Sequence, residues 1–215
     1  MTLPAPVAVA LAAQLREPHG PAGPLLGPGL DRGNRRAIVE GVTALRPRPG
    51  EVVADLGFGG GLGLARLLAG VGPAGLVHGV ERSVPMLTLA ARRFRPALTA
   101  GTLALHGATI LRLPFPDASL DAALTVHTLY FLDDPARACR EWARVLRPHG
   151  RLVLVFGDPV AMTELPFTAY GFRLRPVATI VDAVRAAGLR VTTHHRAGHG
   201  AHEFHVLCAR PCNSG

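Results

Sequence analysis

Short apolar runs alternate along this chain with longer segments whose apolar residues recur at helical spacing. The runs are residues 52–54, 76–80, 102–105, 122–126 and 152–156. Each run has the length of a strand, and the segments between them show the three-and-four spacing of amphipathic helices. Strands that alternate with helices pair in parallel, so the pattern predicts an α/β fold. The fourth run is apolar apart from Thr125, which places it at the centre of the sheet.

Several predicted helices carry recognisable start and stop signals. Asn34 is a suitable N-cap for a helix that runs to Leu45. Ser83 or Pro85 opens a later helix, which we expect to end at Pro96 because proline cannot continue a helix.

A further predicted helix begins after two aspartates. Asp133 or Asp134 caps it, with Pro135 in its first turn. Trp142 falls on its apolar face, so we expect this side chain in the core and not against a ligand. Another helix is predicted over residues 177–187.

The last part of the chain predicts a hairpin. Residues 189–194 face residues 202–209 across a glycine turn, which gives the sheet an antiparallel last strand. Five histidines lie on or beside this hairpin: His194, His195, His199, His202 and His205. A metal site would need at least three of them to converge, so we expect solvated histidines and no metal.

The N-terminal part has a different composition. Residues 5–15 predict a short helix, whereas residues 18–33 hold four prolines and five glycines and predict a long loop. Long loops in compact domains are often functional. We therefore divide the chain into residues 1–33, a helix followed by a lid or flexible arm, and residues 34–215, the main domain.

Length, charge and cysteine usage narrow the possible functions. The chain has 215 residues, 48% of them hydrophobic, which suits one domain with a real core. Its net charge is +8, but all the basic residues are arginines spread along the chain and aromatics make up only 5%. Nucleic-acid binders usually cluster their charge, so we expect no nucleic-acid partner.

The three cysteines form no CxxC pair or metal spacing. They indicate a reducing compartment and a cytoplasmic protein. Residues 1–15 are apolar but carry no basic start, so we predict neither a signal peptide nor a membrane span.

A glycine-rich turn follows the first strand and is the strongest chemical signal. It contains Asp55, Gly57, Gly59 and Gly61 at alternate positions. No register fits the dinucleotide fingerprint, and there is no lysine for a P-loop. A carboxylate two residues before the first glycine would repel a phosphate and attract an ammonium group.

This motif resembles that of the class I S-adenosylmethionine-dependent methyltransferases, in which an acidic residue precedes G-x-G-x-G. The resemblance covers about residues 34 to 210. Within the family, the chain resembles the small-molecule, methyltransferase type 11-like branch. It implies a doubly wound Rossmann-like, mostly parallel sheet and S-adenosylmethionine as cofactor. It also implies that Glu81, at the end of the second strand, accepts the two ribose hydroxyls.

The resemblance suggests further cofactor contacts. Residues 82–87 are similar to the family's adenine-side turn and helix entry, which makes Arg82 and Met86 candidates. The family's usual Gly-Asp-Ala is replaced near Thr109 and Ile110, so the adenine contact would fall to Thr109 or to the backbone.

The resemblance predicts transfer of a methyl group to a small-molecule acceptor whose reacting atom the sequence does not define. His127 follows the fourth strand and is the candidate base, with a wall of the pocket as the alternative role. Tyr130 is a candidate for the same pocket, or else a packing residue at a helix start. We expect a monomer or homodimer.

Two other functions remain open at this point. An RNA or protein methyltransferase is favoured by the positive charge, although no appended binding domain is evident. A cofactor-binding module without transfer activity, such as a regulator or cyclisation catalyst, would share the same fold.

Overall fold

The computed structural model describes residues 3–20 and 23–212. Within them lie the helices α1 (Ala5–Arg16), α2 (Gly23–Gly33), α3 (Arg35–Leu45), α4 (Leu62–Val71), α5 (Val84–Arg93), α6 (Arg95–Thr99), α7 (Pro135–Val145) and α8 (Val177–Ala186). The strands are β1 (Val52–Leu56), β2 (Leu76–Glu81), β3 (Leu103–Gly107), β4 (Leu120–Val126), β5 (Leu146–Gly157), β6 (Leu189–Ala197) and β7 (Phe204–Pro211). Short 3-10 helices cover Leu129–Phe131, Ala161–Glu164 and Gly200–His202.

All the strands of the described residues join one sheet in the order β3-β2-β1-β4-β5-β7-β6. The first five strands in this order pair in parallel, and β7 pairs antiparallel with both β5 and β6. The predicted doubly wound sheet with an antiparallel hairpin is therefore confirmed. The strand order reverses between β1 and β4, and in such sheets ligands bind at the carboxyl ends of the strands beside this point.

Helices cover both faces of the sheet and bury two apolar layers. Trp142 of α7 is fully buried, as predicted, and its Nε1 donates to the Ile110 carbonyl at 3.0 Å. Asp134 caps α7 by accepting from the backbone N–H of Arg137 at 3.0 Å. Among the described helices none combines the length and apolarity that crossing a bilayer requires.

The hairpin places β7 inside the sheet and β6 at its edge. The expectation of solvated histidines is wrong for His205, which is only 7% exposed because β7 is flanked by strands on both sides. Its ring is hydrogen-bonded to Asp158 at 3.1 Å and to His194 at 3.0 Å. On β6 the register shifts between Val191 and Thr193, and most side chains are exposed.

The predicted loop over residues 18–33 is wrong for its second half, which forms α2. Glycine and proline are poor helix formers, but tertiary contacts outweigh this weak preference. Gly27 allows α2 to approach α5 closely, since a Cβ there would lie 2.5 Å from Leu89 Cδ2. Asp31 anchors the end of α2 by accepting from the Leu62 N–H at 3.1 Å and from Arg93 at 3.0 Å.

Two predicted helix boundaries also differ from the structure. Asn34 precedes α3 but makes no side-chain cap, because α2 leads almost directly into α3 and the Asn34 N–H already donates to the Leu30 carbonyl. Pro96 does not end α5, which stops at Arg93. It lies instead in the first turn of α6, where proline is tolerated.

Candidate functional site

A cleft opens at the carboxyl ends of β1, β2 and β4, beside the reversal in strand order. Its lining includes Asp31, Asp55, Glu81, Thr109, Ile110 and His127. We call the part around Asp31, Asp55 and Glu81 the acidic end. The part around His127, Thr128, Phe131 and Leu132 is the histidine end.

The glycine turn between β1 and α4 lines the acidic end with Gly57 and Gly59, whereas Gly61 does not line the cleft and lies against Phe94. Gly57, Gly59 and Gly61 have φ values of 80°, 52° and 89°, in the left-handed region that favours glycine. The Gly57 N–H donates to the Val80 carbonyl at 2.8 Å, and a Cβ on Gly57 would lie 2.6 Å from Thr128. A side chain at Gly57 would therefore both strain the turn and collide with the loop after β4.

Asp55 is the most deeply buried charged group of the cleft, at 3% exposure. Burial, together with the nearby charges of Glu81 and Asp31, raises the pKa of its carboxyl to about 7. A cation in the cleft would favour the ionised carboxylate and reverse part of this shift.

Gly63 makes room for Asp55, a role that the sequence analysis missed. A Cβ on Gly63 would collide with Asp55 Oδ2. The signal was available, because glycine in the first turn of an otherwise strong helix usually has a packing reason.

Glu81 is held in place by backbone donors on both carboxylate oxygens. Its Oε1 accepts from the N–H groups of Arg82 at 2.8 Å and Ser83 at 2.9 Å. Its Oε2 accepts from the Gly59 N–H at 3.2 Å. The carboxylate is thus oriented before any ligand binds, and it links β2 to the glycine turn.

The N-terminal segment covers the same end of the cleft. Leu15, Arg16 and Pro18 line it together with Asp31 of α2. Ser83 Oγ donates to the Pro18 carbonyl at 2.5 Å, and this hydroxyl also caps α5. The segment between α1 and α2 is therefore tied to the residues that follow Glu81.

The other predicted cofactor residues differ in their placement. Thr109 and Ile110 line the cleft, and the Ile110 carbonyl is fixed by Trp142. Arg82 also borders the cleft, but its guanidinium pairs with Glu17 at 2.7 Å. Met86 does not reach the cleft, because its side chain points into the core beneath α5 and is fully buried.

His127 lies at the opposite end, directly after β4. Its φ of 57° is unusual for a residue other than glycine, and its N–H donates to the Val155 carbonyl at 2.8 Å. Burial, with a smaller contribution from His202, lowers the pKa of the imidazole to about 4. With this low pKa the ring is neutral at pH 7.

Tyr130 lies behind His127 and does not line the cleft. Its ring is 5% exposed, and burial raises the pKa of its hydroxyl. The hydroxyl accepts from the Gly157 N–H and lies 2.8 Å from His127 Nδ1. Tyr130 is thus the packing residue of the two predicted alternatives, and it borders the cleft through His127 and Phe131.

The cleft can hold a ligand with a positive charge at one end and an apolar or hydrogen-bonding group at the other. Its carboxylates suit an ammonium or sulfonium group and ribose hydroxyls, and its backbone can approach the ligand closely. Asp31, Asp55 and Glu81 line the same cleft, but within residues 3–20 and 23–212 no group of three or more His, Cys, Asp or Glu side chains is arranged to hold a metal ion. The residues therefore fit S-adenosylmethionine by charge and by donor type.

Comparisons with known proteins agree with this geometry. Residues 54–154 match the methyltransferase domain family. A demethylmenaquinone methyltransferase of Roseiflexus castenholzii is 32% identical over 207 aligned residues, which cover 83% of each chain. A second demethylmenaquinone methyltransferase, from Corynebacterium kroppenstedtii, is 39% identical over 65% of this chain and 57% of its own length.

For the other curated relatives, the match covers 33% to 60% of the relative's own length. Among solved structures, the putative methyltransferase in complex with the Haloferax volcanii Trm112 methyltransferase activator has a TM-score of 0.76 at 19% identity. That match covers 90% of this chain and 96% of the other, and at this identity it supports the fold alone. By its fold, its acidic glycine-turn cleft and its relatives, the chain belongs to the class I S-adenosylmethionine-dependent methyltransferases.

Proposed function

We propose that this protein transfers a methyl group from S-adenosylmethionine to a small-molecule acceptor. The observation that carries the proposal is the convergence of Asp31, Asp55 and Glu81 on one glycine turn, in a chain whose net charge is +8. Asp31 is paired with Arg93, whereas Asp55 is buried and its pKa is raised in part by the charges of Glu81 and Asp31, so a ligand cation beside Asp55 would be favourable. The names of the relatives support a small-molecule acceptor.

The acidic end would hold the cofactor. Glu81 is oriented by three backbone N–H groups, and of the about four lone-pair sites of its carboxylate one on Oε2 is left to accept a ribose hydroxyl. Asp55 would face the positive charge, and Thr109 with the Ile110 backbone would border the adenine. When bound, S-adenosylmethionine supplies a methyl group that is already activated by its sulfonium. The chain's own task is therefore to align the acceptor and to exclude water.

The histidine end would receive the acceptor. Phe131 and Leu132 give it apolar walls, and His127 offers its polar edge. The walls favour a small acceptor with an apolar portion over a nucleic acid. We also propose a cytoplasmic monomer or homodimer, consistent with the free Cys139, Cys208 and Cys212.

Residues 1–33 would act as a lid over the cofactor. Leu15, Arg16, Pro18 and Asp31 border the acidic end, so this segment is placed to cover a ligand bound there. The main domain, residues 34–215, would then supply the fixed part of the site.

Calorimetry tests the cofactor, with S-adenosylmethionine, NAD and ATP as ligands. We expect binding of S-adenosylmethionine and of its demethylated product only. Because a cation favours ionised Asp55, the affinity should rise between about pH 6 and 8, and Asp55→Asn should bind weakly at every pH. Tighter binding of NAD would contradict the proposal.

Transfer itself is tested by product mass after incubation with labelled cofactor and a metabolite extract from the source. A labelled small molecule supports the proposal. Labelled RNA or protein would favour the alternative methyltransferases, and cofactor binding without any labelled product would favour a binding module.

A further inference from the structure

The histidine end contains a hydrogen-bond chain that the proposed reaction does not yet use. It runs from the Gly157 N–H of β5 to the Tyr130 hydroxyl, and from there to His127 Nδ1. The first link joins β5 to the segment after β4, the second lies within that segment, and Tyr130 is 5% exposed. Water is thus largely excluded from the hydroxyl, and each of its hydrogen bonds has to be found within the protein.

The direction of these hydrogen bonds follows from counting donors. A backbone N–H can only donate, so the Tyr130 oxygen accepts from Gly157. The hydroxyl proton then needs an acceptor, and in the part of the chain that the structure describes its second partner is His127 Nδ1. If Nδ1 carried the proton instead, the buried hydroxyl proton would lack an acceptor.

We infer that Tyr130 is a positioning residue that fixes the tautomer of His127, so that Nδ1 accepts and Nε2–H is a hydrogen-bond donor to the methyl acceptor. The inference rests on the proposed function for the presence of an acceptor, but the hydrogen arrangement belongs to the free protein. Nδ1 is engaged on the buried side of the ring, which leaves Nε2 as the polar atom for the cleft.

This arrangement changes which acceptors suit the site. A neutral imidazole with its proton on Nε2 presents no lone pair to the cleft and cannot remove a proton from the acceptor. The low pKa of His127 and the raised pKa of Tyr130, both caused by burial, agree with a neutral chain. The suitable acceptor presents an oxygen that receives the hydrogen bond and needs no base, such as a carboxylate or an acidic enol or phenol.

Long-range proton–nitrogen NMR correlations of uniformly ¹⁵N-labelled, ligand-free protein identify which ring nitrogen carries the proton. The His127 signals are assigned by their loss in His127→Ala. We expect a single tautomer with protonated Nε2 from about pH 6 to 8, where an imidazole with an ordinary pKa would titrate. A protonated Nδ1, or a ring that becomes charged in this range, would overturn the inference.

Tyr130→Phe tests the role of the hydroxyl and Tyr170→Phe is its control, because Tyr170 is the other tyrosine of the chain. We expect both nitrogens to carry the proton in part in Tyr130→Phe and no change in Tyr170→Phe. An unchanged tautomer in folded Tyr130→Phe would show that Tyr130 does not fix it. If that variant does not fold, the spectrum of the parent protein still decides the tautomer.

These spectra need neither cofactor nor acceptor, so they separate the inference from the proposed function. Failure to bind S-adenosylmethionine would overturn the function and leave the tautomer as measured. Transfer activity with a protonated Nδ1 would keep the function and overturn the inference.

Discussion

The acidic end and the histidine end of the cleft are built in different ways. At the acidic end the key groups come from adjacent parallel strands and one tight turn, and neighbouring backbone N–H groups orient Glu81. At the histidine end, His127 is oriented by a side chain that is itself held by β5. Glu81 at the first end is thus held by backbone N–H groups, whereas His127 at the second end is held by a side chain that is itself bonded to a separate strand. Substitutions should therefore separate cofactor binding from transfer.

The largest effect should come from the histidine end. His127→Ala removes the group nearest the acceptor and should lower kcat about a hundredfold, the lower range for loss of one preorganised donor. Cofactor affinity should stay nearly constant, because Asp55 and Glu81 are untouched. Single-turnover rates and calorimetry measure the two quantities. An equal loss in both would remove the distinction between the two ends.

His127→Gln is the informative control for this variant. Its amide keeps an N–H on a side chain of similar reach but cannot act as a base. Its kcat should therefore fall less than that of His127→Ala, whereas a catalytic base predicts equal losses.

The next effect in size belongs to the acidic end. Glu81→Ala should weaken S-adenosylmethionine binding about tenfold to a hundredfold, since hydrogen bonds to a charged group are worth about 1.5–3 kcal/mol. Glu164→Ala changes an exposed acid far from the cleft and is the matched control. Calorimetry gives the affinities, and thermal melting checks the fold. Parent-like binding by Glu81→Ala would contradict its assignment to the ribose.

The smallest effect concerns the lid. Arg82→Ala breaks an ion pair with Glu17 in which both side chains are about half-exposed, and such pairs contribute about 0.2–1 kcal/mol. Cofactor affinity should therefore fall by no more than about fivefold.

Trypsin cleaves after arginine, so the rate of cleavage after Arg16 reports how accessible the proposed lid is. Cleavage after Arg16 should slow when S-adenosylmethionine is present, and less so in Arg82→Ala. Arg190→Ala, an exposed position on β6, is the control. Equal cleavage with and without cofactor would argue against a lid.

The sequence was most informative where local pattern decides structure. The strands, the glycine turn and the position of Glu81 follow from apolar runs and glycine spacing. Helix α2 was not predictable in this way, because its stability depends on Gly27 packing on α5 and on Asp31 reaching Leu62 and Arg93. Local propensity carries no information about such contacts.

The chemical properties of the histidine end were likewise only partly predictable from the sequence. The position of His127 after β4 was predictable, but its low pKa depends on burial by segments far away in sequence. Tyr130 meets Gly157 across 27 positions of the chain, a contact that single-residue reasoning does not reach. The burial of His205 was not predicted, because a hairpin pattern does not show which of its two strands lies inside the sheet. The apolar residues of β7, beside the polar residues of β6, do indicate that β7 is the inner strand.

The position of β6 at an edge of the sheet affects whether molecules of this protein aggregate at high concentration. A free sheet edge offers unpaired backbone groups to which a second molecule can add a strand. The edge strands of this sheet are β3 and β6, and on β6 a register shift interrupts the regular geometry and the exposed residues include His194, His195 and Arg196. Kinks and charged side chains on an edge oppose such pairing. The apolar β7 is kept inside, and the polar β6 opposes aggregation through this edge of the sheet.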